Sequence, residues 1–146
     1  MPNSLNVRFS GAAPGEVEDE HPFGEGLAQL IASRLSQQGW TTTAPEDWRD
    51  AGSSFECRRN GAELQVVLAA LEKRTEWMLQ IAPLRGGRLL SLLGRRPSAT
   101  PLECLELARA IHADLVEDGR YTGLQWRWDG MPKLGKSTPE PVERSS

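Results

Sequence analysis

Polar and apolar positions alternate most regularly between Ser53 and Leu71. Phe55 and Cys57 fall on one side of the alternation, with Glu56 and Arg58 on the other. After Asn60-Gly61, Leu64, Val66 and Leu68 oppose Gln65, Val67 and Ala69. A period of two belongs to a strand with one buried face. A two-residue Asn-Gly loop suits the positive φ angles of a type I′ turn, so the stretch predicts a central β-hairpin. Glu72-Lys73-Arg74-Thr75 is short and polar. It predicts a second hairpin onto Glu76 to Ala82, where Trp77, Leu79 and Ile81 alternate with Met78 and Gln80.

Two further segments share this period. Leu5-Asn6-Val7-Arg8-Phe9 predicts a first strand, at an edge or beside the last. Gly123 to Asp129 predicts a final strand with Leu124, Trp126 and Trp128 on one side and Gln125, Arg127 and Asp129 on the other. Trp40-Thr41-Thr42-Thr43 is aromatic and β-branched and predicts another strand, followed by a turn region from Pro45 to Gly52.

Two stretches change to helical spacing. Phe23, Leu27, Leu30, Ile31 and Leu35 recur at steps of three and four, between Pro22 and Gly39. Gly24 and Gly26 weaken the first turn and move the regular start toward Leu27. Thr100-Pro101-Leu102-Glu103 has the spacing of a capping box with proline at the first helical position. Cys104, Leu107, Ala108, Ile111 and Leu115 form the apolar stripe behind it, and Gly119 ends the helix.

Two helices with one apolar stripe each, and strands with one apolar face each, predict an α+β two-layer sandwich. Its sheet is mainly antiparallel and five- to six-stranded, with both helices on one face. A fully parallel doubly wound sheet fits less well, because its strands would be apolar on both faces. The predicted domain covers residues 1–130. Residues 131–146 are rich in Pro, Ser, Gly and charge without apolar periodicity, and predict a disordered tail.

Composition narrows the function classes. The chain has 146 residues, 38% hydrophobic and 25% charged, which is ordinary for one globular domain. A net charge of −3 argues against general nucleic-acid binding. No apolar run approaches the roughly 20 residues of a membrane span, and the N-terminus lacks the order of a secretory signal. The expected location is a prokaryotic cytoplasm, with Cys57 and Cys104 as reduced thiols.

Candidate chemistry is sparse. His21 precedes a helix start, and His112 sits on the flank of the second stripe. A zinc site would need His21, Cys57 and His112 to converge from three elements. Cys57 precedes Arg58 and Arg59, which would favour a thiolate, yet its phase with Phe55 points it inward. Neither a GxSxG elbow nor a phosphate-cradling glycine loop is present. The carboxylate pairs Glu46-Asp47 and Glu117-Asp118 fit turn and helix-end positions. No catalytic residue, metal or cofactor is expected.

The departure from this plainness is residues 83–97. Arg85, Arg88, Arg95 and Arg96 surround Leu89, Leu90, Leu92 and Leu93 with no acid among them. Residues 1–50, by contrast, carry eight acids and three bases. Such separation favours oriented association with a protein. Trp48, in the polar run EDWRD, is a candidate interface anchor. The expected function is therefore non-enzymatic binding of a protein partner, or homodimerisation, in the manner of an immunity protein, adaptor or chaperone. The alternative is a small-anion ligand site or enzyme on the polar side of the sheet, built from Arg8, Arg58 and Arg127 with Glu56 and Asp129.

Overall fold

The computed structural model describes residues 4–11, 24–49, 51–71, 75–84, 99–132 and 136–144. The acidic loop, His21 and Pro22, the 72–74 turn and the arginine-leucine loop lie outside the described residues.

The chain is an α+β sandwich: an open antiparallel sheet with two helices against one face. The strands are β1 (Leu5–Ser10), β2 (Thr41–Thr42), β3 (Glu46–Trp48), β4 (Gly52–Arg59), β5 (Ala62–Ala70), β6 (Glu76–Pro83) and β7 (Thr122–Trp128). The helices are α1 (Glu25–Gln37) and α2 (Pro101–Asp118). Strand order is β2-β4-β5-β6-β1-β7, with β3 also paired to β4. The first strand is thus enclosed between β6 and the last strand rather than lying at an edge.

The meander β4-β5-β6 follows from local signals. Asn60 and Gly61 take φ of 51° and 85°, as a type I′ turn requires. That turn sets Cys57 opposite Leu64 and Phe55 opposite Val66, so both arms bury the same face. Two differences appear near β4. The predicted strand from Trp40 shrinks to two residues, because Trp40 instead turns into the core and is 4% exposed. The Pro45 to Gly52 turn region contains a short strand, β3, laid against Gly52 to Ser54.

One apolar layer joins helices to sheet. Leu27, Ile31 and Leu35 of α1 and Cys104, Leu107, Ile111 and Leu115 of α2 pack with Val7, Phe9, Leu64, Leu68, Trp77, Leu79 and Trp126. Burying one large side chain contributes about 1.5–3 kcal/mol, so this layer supplies the main driving force. Gly24 caps α1 with φ 75°; a Cβ there would lie 2.9 Å from Trp77. The helix start can approach the sheet only without a side chain. At α2 the capping box is complete, with Glu103 N–H donating to Thr100 Oγ1 at 3.3 Å and Thr100 N–H donating to Glu103 Oε1 at 2.9 Å.

Residues 136–144 pack along the β7 edge. Thr138 and Trp126 exchange two backbone hydrogen bonds, at 2.8 and 2.9 Å. The Trp128 indole donates to Val142 O at 2.8 Å, and Arg144 pairs with Asp129. The physical reason is tertiary. The outer edge of β7 offers unpaired backbone groups and a half-buried indole, which a segment without its own periodicity can still satisfy.

Candidate functional site

Alternation along the strands leaves the second face of the sheet to the polar set, and no described helix or strand packs over it. Asn6, 1% exposed, lies under Gly130, to whose carbonyl it donates at 3.1 Å, and Val67 is 7% exposed. Its side chains form rows across the strands. One row reads Trp48, Gly52, Ala69, Met78, Arg8 and Gln125. The next reads Glu46, Ser54, Val67, Gln80, Asn6 and Arg127. Below these come Glu56, Gln65 and Ala82, then Arg58 and Glu63. The centre holds short apolar and amide side chains; the charges sit toward the flanks.

This face brings Trp48 onto the same surface as Arg8, Arg58 and Arg127, but it does not gather the arginines. Arg58 and Arg8 are separated by three interstrand spacings, roughly 14 Å, and by further distance along the strands. Each has its own local partner. Arg8 pairs with Glu76 at 3.3 Å, and Arg58 pairs with Glu56 at 2.8 Å and Glu63 at 2.9 Å. Arg127 donates to Met131 O at 3.2 Å. Exposed pairs of this kind contribute about 0–1 kcal/mol each and stay available to exchange partners. No single small anion could touch all three guanidinium groups. The arrangement is a broad surface rather than a concave site.

Of the residues expected to bind a partner, Arg85, Arg88, Leu89, Leu90, Leu92, Leu93, Arg95 and Arg96 lie outside the described residues. Glu46 is the surface residue that sequence reasoning passed over, since Glu46-Asp47 reads as a turn. The available signal was the order Glu46-Asp47-Trp48, which alternates once β3 is laid on β4.

Other ionisable groups are fixed in structural roles. Burial pushes the thiols of Cys57 and Cys104 up to about 12, so both are protonated at neutral pH and pack as small apolar groups. His112 accepts a hydrogen bond at Nδ1 from the Trp126 indole at 3.0 Å, and burial lowers its pKa. A polar hollow of about 480 Å³ lies between the C-terminal ends of the helices. There Arg34 donates to the Asp114 carbonyl at 2.9 Å and pairs with Asp118 at 3.2 Å. Hydrogen bonding to Arg120, at 2.6 Å, holds the Asp118 carboxyl down at about 2. Asp114 is 4% exposed and accepts from Gln38 at 2.8 Å; burial raises its pKa. These contacts tie α1 to α2.

A second cavity of about 380 Å³ lies between Trp128 and the C-terminal segment. No group of three or more His, Cys, Asp or Glu among the described residues is placed to hold a metal ion. No described helix is long and apolar enough to cross a membrane.

Fold and surface together define a two-layer α+β sandwich in which one sheet face is covered by the helices and the other carries no described helix or strand. Comparison with known proteins adds no closer identity, since no protein-family model, curated protein or solved structure matches the chain.

Proposed function

We propose that this chain is a non-enzymatic protein-binding domain, of the immunity, adaptor or chaperone-like kind, working in a bacterial cytoplasm through the open face of its sheet. The observation that carries this reading is the composition of that face. Ala69, Met78 and Ala82 lie at its centre beside Val67, which is 7% exposed, while Arg8, Glu46, Glu56, Arg58 and Arg127 lie toward its flanks and Glu63 at the end of β5. Protein interfaces have this anatomy, an apolar core inside a polar rim. Trp48, half-buried at the β3 end of the face, supplies an aromatic anchor. The arginine-leucine loop joins β6 to α2 in sequence, and its basic and apolar residues remain proposed partner contacts.

Affinity purification from the native source, with wild-type and Met78→Glu baits, tests the assignment. A stoichiometric partner held by the wild type and lost by Met78→Glu supports it. A partner retained equally by both would remove the open face from the reading, provided circular dichroism shows the variant folded.

A further inference from the structure

We infer that the open face pairs with the same face of a second copy of this chain, about a two-fold axis running parallel to the strands. This rests on the reading that the open face is a binding surface, and it names the partner.

Both sheet edges are closed to further strands. The outer edge of β4 is covered by β2 and β3, strands of two and three residues flanking Pro45. The outer edge of β7 is met by Thr138, with Pro139 next to it and Pro141 close behind. Very short edge strands and prolines are features that stop a sheet from adding strands laterally. Association through the sheet is therefore directed to its face.

Charge placement on that face then selects the occupant. Glu46 and Arg127 stand at opposite ends of one row. Among the described residues neither has an ion pair of its own. A two-fold axis between β5 and β6, along the strands, exchanges the two flanks and keeps each row in place. Glu46 of one copy then meets Arg127 of the other, and the contact occurs twice, as an isologous interface requires. The neighbouring row is also complementary in size. Ala69 falls opposite Met78, short against long, and Trp48 falls opposite Gln125.

The size of the face bounds the strength. Six strand positions span about 24 Å, and four rows span about 20 Å. Two such faces bury on the order of 1,000 Å², the low end for a specific interface. The expected dimer is reversible and sensitive to salt, because its register depends on exposed charge.

Sedimentation velocity and light scattering across a concentration series test the proposal. The wild type should pass from monomer to dimer with rising concentration. Arg127→Glu and Glu46→Arg should each weaken association by about tenfold or more, since both Glu–Arg contacts become like-charge contacts. An equimolar mixture of the two variants should recover the dimer, because every contact in the mixed pair is again Glu against Arg. Both residues are on the surface, so folding is preserved; circular dichroism checks it.

A wild type that stays monomeric to roughly 1 mM overturns the proposal, as does a mixture that fails to recover. A monomeric wild type that captures a different protein through Met78 overturns self-pairing and leaves the open face as the binding surface. A dimer indifferent to Arg127→Glu, Glu46→Arg and Met78→Glu alike overturns both readings.

Discussion

Replacing His112 by phenylalanine removes the acceptor of a hydrogen bond that joins α2 to β7. Trp126 is 1% exposed, and its indole N–H reaches Nδ1 of His112 at 3.0 Å. That bond requires a neutral imidazole with its proton on Nε2. Without the acceptor, a buried N–H is left unmatched, at a cost of about 1–3 kcal/mol. Glutamine keeps an acceptor and should cost less. In a chain of 146 residues, 1 kcal/mol corresponds to about 3 °C in Tm.

The same bond makes the effect depend on pH. Burial lowers the His112 pKa from its ordinary 6.5, with the Glu140 carboxylate opposing the shift. The unfolded chain then takes up a proton at pH values where the folded chain does not. The contribution is complete above pH 6.5 and is lost as pH falls through the lowered folded value. Urea unfolding followed by tryptophan fluorescence, at about pH 8 and about pH 5.5, measures this. Wild type should exceed His112→Phe at the higher pH, and the gap should narrow at the lower. Equal stabilities at about pH 8, or a gap that does not change with pH, would refute the reasoning.

Three further outcomes follow from the contacts described. Thr100→Ala should lower stability by about 1 kcal/mol through loss of the α2 cap, read as a shift in urea midpoint with unchanged slope. Cys57 and Cys104, with thiols pushed up to about 12, should resist a thiol reagent at neutral pH in the native protein and react fully in denaturant; rapid native labelling would contradict their burial. Asp118→Asn should destabilise the fold at neutral pH. Because the folded carboxyl is held at about 2 against a usual 3.8, its contribution is present above pH 3.8 and lost as pH falls through about 2, so the two unfolding curves should converge in acid.

Legibility differed sharply between elements. The β4-β5 hairpin and the α2 start were readable because turn, cap and periodicity agree within a few residues. β3 was missed because three residues carry too little alternation to stand out from a turn. The candidate surface was half visible. Arg8, Arg58 and Arg127 could be assigned to the polar side of their strands. The distance of Arg58, three strand spacings from Arg8 and four from Arg127, could not be read.

Local chain chemistry by itself determined which segments become strands and helices and which side of each is buried. Those choices follow from backbone turns and side-chain periods only a few residues long. Tertiary structure alone decided that β1 enters between β6 and β7, that Glu46 and Arg127 close opposite ends of one row, and that residues 136–144 dock on β7. These depend on which strands become neighbours, and strand adjacency between distant segments is set by the fit of the whole core rather than by any local pattern.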